Sequence, residues 1–182
     1  MEQVDRTEKI GGEMISSFLS KLLTTRQASF TEEEIEIFDL NFTLQPLPSL
    51  VEFQKEVSDE RMMERLGYLI SETIIDHFKK RFAIEEKKMS DLWTKLIHLS
   101  GLGKIEVVDI KGNRTILKVE KNNFAKLYLE KYGLQKKPVC HLIKGIFKCF
   151  MEKLTGKKVE VVETSCIAMG NKVCTFEVRI IE

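Results

Sequence analysis

The sequence has no long apolar run, almost no net charge and only three prolines. No stretch approaches the roughly 20 apolar residues that a membrane-spanning helix needs. The first residues have no apolar core typical of an export signal. Basic and acidic residues number 29 and 28, which gives a formal net charge of +1. This balance excludes a strongly basic nucleic-acid-binding protein and an acidic disordered tail. We therefore expect a cytoplasmic chain with no membrane span and no direct nucleic-acid partner.

Hydrophobic residues make up 43% of the 182 residues. A chain of this length buries about 70% of the surface that its unfolded form exposes, so its core needs no disulfides. Residues 7–24 carry apolar side chains at three- and four-residue spacing, which predicts an amphipathic helix. That helix either docks on its own domain or serves as a dimerisation arm. We predict an N-terminal helical arm over residues 1–57 and a main domain over residues 58–182.

The main domain alternates helical and strand patterns. Helices are predicted over residues 58–82, 86–100, 123–132 and 138–155, and β-branched runs predict hairpins over residues 104–120 and 158–181. A short strand is predicted within residues 35–44, and Pro46 and Pro48 are expected to break any regular element after it. Gly67 lies inside the first of these helices, where it either allows a close helix contact or, as is more common, is simply tolerated. The order predicts an α+β fold, in which an antiparallel sheet of about four strands, formed by two hairpins, packs against several helices.

All four cysteines, Cys140, Cys149, Cys166 and Cys174, lie in the last quarter of the chain. In the second hairpin, Glu163 shares the apolar face of its strand, and Cys174 shares the apolar face of the partner strand. Hydrophobic pairing predicts that Val161 lies opposite Phe176 and therefore that Glu163 lies opposite Cys174.

These residues favour a metal site, because a buried unpaired carboxylate needs a proton, a cation or a metal. Cys166 lies in the turn of the hairpin, and Cys140 lies in the first turn of the preceding helix. Three thiolates and one carboxylate suit zinc, with all four positions filled as in a structural site. The alternative is three core cysteines with a protonated or lysine-paired glutamate. Cys149 lies on the apolar face in mid-helix, as a small buried hydrophobic residue does.

Signals for catalysis are absent from the sequence. It contains no nucleophile elbow, no P-loop and no dinucleotide-binding fingerprint. We therefore expect a binding protein rather than an enzyme.

The segment VEVVETSCIAMGNKVCTFEV resembles the C-terminal signature of 4-vinyl-reductase-type domains. The matching residues are an acidic residue, a cysteine, a turn glycine, a second cysteine and a phenylalanine, at Glu163, Cys166, Gly170, Cys174 and Phe176. The preceding helix, PVCHLIKGIFKCFMEKLTG, places Cys140 at the upstream cysteine of the family. Members include sensory domains of bacterial activators that detect aromatic hydrocarbons, and the fold is shared with subunits of the vesicle-tethering TRAPP complex.

The resemblance implies a structural zinc ion held by Cys140, Glu163, Cys166 and Cys174, beside a pocket for a small apolar or aromatic molecule. Trp93, Phe147, Val161 and Phe176 are the candidate walls of that pocket. It implies a ligand-sensing module, expected as a homodimer, whose ligand state a protein partner reads. One alternative is a scaffold that assembles with partners, like the TRAPP subunits, and senses nothing. Another is an enzyme or accessory factor of tetrapyrrole or aromatic metabolism.

Overall fold

The computed structural model describes residues 17–57, 59–82 and 86–181. Its contacts divide the chain after Thr43 into two compact units. The division predicted between residues 57 and 58 falls between two helices of the second unit and stays a prediction. Among the described helices, none is both long enough and apolar enough to cross a bilayer.

Within residues 17–43, the first unit contains one helix and a small antiparallel sheet. Helix α1 covers Ser17–Thr24, and the earlier part of the helix predicted over residues 7–24 lies outside the described residues. Strands β1 (Ala28–Phe30), β2 (Ile35–Ile37) and β3 (Leu40–Phe42) follow in that spatial order. Phe38 and Asp39 join β2 to β3 with φ angles of 55° and 61°, the left-handed geometry that two-residue hairpin turns use. The strand predicted within residues 35–44 is therefore confirmed as part of a sheet that the pattern did not reveal.

The described residues of the second unit form five α-helices. They are α2 (Leu47–Val57), α3 (Glu60–Phe82), α4 (Glu86–Leu99), α5 (Asn123–Tyr132) and α6 (His141–Thr155). The expectation that Pro46 and Pro48 break regular structure is wrong, because Pro48 is the second residue of α2. Proline is tolerated in the first turn, since N–H groups there have no helical partner. Asp59 caps α3 by accepting a hydrogen bond from the backbone N–H of Arg61 at 3.0 Å.

A four-stranded antiparallel sheet completes the second unit. It consists of β4 (Lys104–Lys111), β5 (Arg114–Glu120), β6 (Val159–Ser165) and β7 (Cys174–Ile180), in the spatial order β4-β5-β7-β6. The two predicted hairpins are present, and the pairing of β5 with β7 joins them into one sheet. The predicted α+β class is confirmed.

The predicted register of the second hairpin is wrong by two residues. Val161 pairs with Val178 and Glu163 pairs with Phe176, whereas Cys174 pairs with Val119 of β5. The connection contains a short 3-10 helix, Ile167–Met169, and the pairing of β6 with β7 shifts register between Glu163 and Ser165. A shift of two residues leaves every side chain on its predicted face, because side chains in a strand alternate with period two.

Helix α6 lies at the centre of the second unit, between α3 and the sheet. Gly67 of α3 and Gly145 of α6 meet at the helix crossing. A Cβ atom on Gly67 would lie 1.9 Å from the Leu142 carbonyl oxygen, and one on Gly145 would lie 1.8 Å from that of Glu64. The two backbones therefore touch at this point, as the glycine inside the predicted helix suggested.

Candidate metal centre and apolar interior

Three cysteines from three different places in the second unit meet at one point. Cys140 is the residue before α6, Cys166 precedes the 3-10 helix, and Cys174 begins β7. All three are fully buried. The Cys140 sulfur lies 3.8 Å from that of Cys166 and 3.7 Å from that of Cys174, and the remaining pair is 3.9 Å apart. These separations are far longer than the roughly 2.05 Å of a disulfide bond.

The local structure of the β6–β7 connection brings Cys166 and Cys174 together. The Asn171 side-chain oxygen accepts a hydrogen bond from the Cys166 N–H at 3.1 Å, and the Asn171 N–H bonds the Cys166 carbonyl at 3.2 Å. Gly170 closes the 3-10 turn at a φ of 88°, a conformation that favours glycine. The turn also directs the Ile167 N–H to the Cys174 sulfur at 3.3 Å.

Glu163 is the fourth member of the cluster. Its Oε2 accepts a hydrogen bond from the Cys140 N–H at 2.9 Å. Its Oε1 is buried and has no hydrogen-bond partner within the described part of the chain. Burial, reinforced by the negative charge of Cys166, raises the pKa of the Glu163 carboxyl to about 8. A buried acceptor without a partner costs about 1–3 kcal/mol, so this oxygen favours a bound cation.

Asn122, a residue that the sequence analysis did not single out, supports the cluster from the N-cap of α5. It is fully buried, and its Nδ2–H donates to the Cys140 sulfur at 3.2 Å. Its Oδ1 accepts from the N–H of Ala125 at 3.1 Å and so caps α5. Asparagine immediately before a helix is a sequence signal for the cap, but nothing in the sequence indicates that its second group contacts a cysteine.

The four side chains fit a tetrahedral metal ion. One ligand atom from each lies within 4.8 Å of all the others. Thiolates about 2.3 Å from a tetrahedral zinc are about 3.8 Å from one another, which is the sulfur spacing found here. Without a cation, burial raises the pKa of the Cys140 thiol well above its ordinary value, while hydrogen bonds from Cys140 and Cys174 lower the pKa of Cys166. This Cys3Glu cluster could therefore hold a metal ion, and a metal would let all three sulfurs bind as thiolates.

Cys149 lies apart from the cluster, in the middle of α6, and is fully buried. Burial raises the pKa of its thiol to about 11. It is therefore a small buried residue of the core, as predicted.

The cleft beside β6 and a small cavity beside α6 each contain one of the four residues predicted as pocket walls. Trp93 stacks on Phe150 with ring centroids 3.8 Å apart, and its indole N–H donates to Ser71 Oγ at 3.1 Å. Phe147 contacts Phe176 edge-to-face at 5.0 Å. Val161 instead lines an open cleft beside β6. Trp93, Phe147 and Phe176 therefore form one aromatic cluster in the core.

A small apolar cavity lies beside this aromatic cluster. Its volume is about 10 Å³, far below the roughly 150 Å³ of a cavity that binds benzene. Phe147 lines it, together with side chains from α4, α6 and the sheet: Ile97, Leu102, Ile105, Val119, Ile143 and Ile146. The lining of this cavity is therefore apolar, as a hydrocarbon site requires, and the cavity is small.

The fold and the cysteine cluster agree with one class of protein. Residues 116–180, roughly a third of the chain, match the family model of the V4R domain. This match covers most of β5, together with α5, α6 and the second hairpin. It therefore includes all four residues of the Cys3Glu cluster. The resemblance to 4-vinyl-reductase-type domains is thereby confirmed for this segment.

Three proteins illustrate the similarity of this chain to others in sequence or in structure. MJ1642, described as an uncharacterized protein of Methanocaldococcus jannaschii, is 41% identical over 46 residues, which is 25% of this chain and 29% of that protein. The phenol-responsive sensory domain of the transcription activator PoxR, solved with phenol, aligns with a TM-score of 0.74 at 17% identity, over 91% of this chain and 92% of that one. Subunit 3 of the trafficking protein particle complex from Naegleria fowleri, solved covalently bound to palmitic acid, aligns with a TM-score of 0.52 at 16% identity, over 75% of this chain and 91% of that one. At identities of 17% and 16%, the likeness of these two structures to this chain is one of fold alone.

Proposed function

We propose that the chain is a sensory module for small apolar or aromatic molecules, stabilised by a structural zinc ion at Cys140, Glu163, Cys166 and Cys174. The observation that carries the proposal is the closeness of these four donor atoms, all within 4.8 Å of one another. The protein itself fills all four positions, which is the arrangement of structural rather than catalytic zinc sites. The contribution of zinc is then to folding, because the site does not exist in the unfolded chain.

Metal content tests the zinc site directly. Protein purified without chelator should contain about one zinc per chain, and Cys174→Ser should lose it and several kcal/mol of stability. Cys149→Ser is the matched control, because it replaces a cysteine of the same chain that is equally buried but lies outside the cluster. Metal retained in Cys174→Ser would remove Cys174 from the ligand set. No metal in the wild type, even after reconstitution with reduced thiols, would contradict the site.

The ligand part of the proposal rests on the fold and on the apolar interior. The fold is that of a sensory domain solved with phenol, and the small cavity here is lined by aliphatic residues and Phe147. A ligand of benzene size must enlarge this cavity by roughly 100 Å³ or more. Such an enlargement displaces Phe147, whose ring centroid lies 6.4 Å from that of Trp93. Ligand binding is thereby coupled to the packing of α4 and α6.

Trp93 is the single tryptophan of the chain, so its fluorescence reports on this interior alone. Titration with toluene, excited at a wavelength that tryptophan absorbs selectively, should change the emission of Trp93 and raise the melting temperature. The variant Ile97→Phe, which fills the cavity, should abolish both responses. No response across a series of benzene derivatives would contradict ligand binding, whatever the metal content.

A scaffold that senses nothing is the second candidate, and the small size of the apolar cavity favours it. A cavity of about 10 Å³ holds at most one water-sized atom group. The two candidates differ in the toluene titration, because a scaffold leaves the emission of Trp93 unchanged.

The proposal includes a homodimer formed through the N-terminal arm, residues 1–57, and a protein partner that reads the ligand state. Leu23 of α1 is 40% exposed and is a contact that such an arm would offer. Sedimentation equilibrium should show a dimer that Leu23→Glu weakens. A monomer at all concentrations would contradict the dimer without affecting the metal site.

A further inference from the structure

The four donors of the Cys3Glu cluster differ in their access to solvent. Cys140, Cys166 and Cys174 are fully buried, whereas Glu163 is partly exposed. Glu163 also lines the open cleft beside β6, and none of the three cysteines does. Its ligand atom lies within 4.8 Å of all three sulfurs. Glu163 therefore separates this cleft from the sulfurs.

The cleft is large enough for a hydrated metal ion. Its volume is about 590 Å³, whereas a metal ion that keeps about six waters occupies roughly 200 Å³, at about 30 Å³ for each water. One wall is β6, and the other comes from the start of α3 and from α6. The small apolar cavity beside α6, by contrast, includes no residue of the cluster. A metal ion that reaches the cluster from solvent therefore has room to approach it along this cleft.

Two further side chains of the cleft are of types that bind zinc. The side chain of Glu60, at the start of α3, is 61% exposed, and that of His141, at the start of α6, is 14% exposed. Glu60 Oε1 and His141 Nε2 are 3.9 Å apart, too far for a direct hydrogen bond. His141 follows Cys140 in the chain, and the Cys140 N–H donates to Glu163 Oε2. Carboxylate and imidazole donors thus become progressively more buried from Glu60 to His141 to the cluster.

The charges of the cleft favour the approach of a cation. Among the described residues that line it are four glutamates and three lysines. Lys144 and Lys148 both contact the carboxylate of Glu64, at 2.9 Å and 3.5 Å, which offsets part of their charge. Glu60 and Glu160 are exposed. Exposed carboxylates attract a divalent cation over about 10 Å at 0.1 M salt.

We propose that the metal ion of the cluster enters and leaves the folded chain through this cleft, with His141 as the group that receives it on the way and Glu163 as the ligand that closes the site behind it. This inference rests on the proposed zinc site and adds a route of exchange. Opening requires the Glu163 carboxylate to turn towards the cleft, which breaks its hydrogen bond from the Cys140 N–H, while the three sulfurs stay in place. His141 lies outside the set of four ligands and acts as a positioning residue.

The kinetics of zinc exchange test the role of His141. Zinc-loaded full-length protein is mixed with enough pyridylazoresorcinol, a chromogenic chelator, that the release rate no longer depends on chelator concentration. His141→Gln should slow release and uptake by the same factor, about tenfold, which is a barrier increase of about 1.4 kcal/mol. The dissociation constant should not change, because both rates fall together. His77→Gln on α3, outside the cleft, is the matched control and should change neither rate.

The role of Glu163 gives a different kinetic pattern. Because its carboxylate binds the ion only after the ion has passed, Glu163→Gln should speed release at least tenfold and leave the uptake rate unchanged. Uptake that slows as much as release accelerates would overturn the closing role of Glu163. A weaker dissociation constant in His141→Gln, with unchanged uptake, would overturn the role of His141.

The dependence of release on urea separates the route from unfolding. Release through the cleft exposes little new surface, so its rate should stay nearly constant up to about 1 M urea. Release limited by global unfolding should instead accelerate about threefold per molar of urea, because unfolding rates rise with the surface exposed. Zinc that leaves only at the rate of global unfolding would overturn the route and leave the zinc site intact. A chain that binds no zinc would overturn both.

Discussion

The helix crossing at Gly67 and Gly145 gives a prediction in which two physical effects oppose each other. Replacing Gly145 by alanine improves helix propensity, which by itself stabilises a helix by about 1 kcal/mol. The added methyl group, however, would lie 1.8 Å from the carbonyl oxygen of Glu64. The atom that it meets belongs to the backbone of α3, so no side-chain rotation relieves the contact.

The steric effect should exceed the propensity effect. Ordinary contacts of a Cβ atom begin near 3.4 Å, so α3 and α6 must separate by about 1.5 Å at the crossing. Overpacking of this kind costs about 1–3 kcal/mol and sometimes more, and a backbone contact belongs at the upper end of that range. We expect Gly145→Ala to lower the free energy of unfolding by about 2 kcal/mol. Urea midpoints should then fall by about 1 M.

Urea unfolding followed by far-UV circular dichroism measures this effect. Thr73→Ala, at an exposed position of α3, is the control in which propensity acts without a steric contact, and its stability should rise slightly. Gly67→Ala should destabilise like Gly145→Ala, and the double variant should lose less than the sum because one separation relieves both contacts. A Gly145→Ala variant as stable as the wild type would refute the close-contact argument.

Three further outcomes follow from buried contacts. Asn122→Asp keeps the oxygen that caps α5 but replaces the N–H donor to Cys140 by a negative charge. Metal affinity should therefore fall about 10- to 100-fold, as is typical when a residue that hydrogen-bonds a metal ligand is changed. Unchanged affinity in a competition with a zinc chelator would contradict the contact. Cys149 should resist iodoacetamide at pH 8 in the native protein and react after denaturation, because it is buried and its pKa is raised to about 11; native modification detected by mass spectrometry would contradict this. Trp93→Phe should destabilise by about 1–3 kcal/mol in thermal unfolding, because Ser71 loses its buried donor; equal stability would show that the hydrogen bond contributes nothing.

The helices and strands of the second unit are predictable because their patterns are long and regular. Helix α6 repeats apolar residues over four turns, and the hairpins are β-branched runs around polar turns. The first unit is built from strands of three residues, too short for alternation to be recognised. Helix α2 is not predicted because a pair of prolines suggests a break, although the first turn of a helix accepts the second of them.

The cluster could be predicted because its residues share a short segment and inward faces, yet its details could not. The sequence places Glu163 and Cys174 on the same side of the hairpin, but the longer turn and the register shift after Glu163 decide which residues are opposite. Asn122 contributes from a strand end that is distant in sequence from the cysteines. Such long-range contacts depend on how α5 and α6 pack, which no local pattern reports.

The positions of the cysteines along the chain also bear on how the protein folds. Cys140 and Cys166 are 26 residues apart, and Cys166 and Cys174 are 8 residues apart, so one metal ion would close two short loops. Short loops lose little entropy on closure, and contacts between residues close in sequence form quickly. We expect the segment from Cys140 to Cys174 to become ordered early when zinc is present. The longer-range packing of α3 against α6 and the pairing of β5 with β7 should form on it afterwards. Refolding rates that do not change with zinc would show that these loops close without its help.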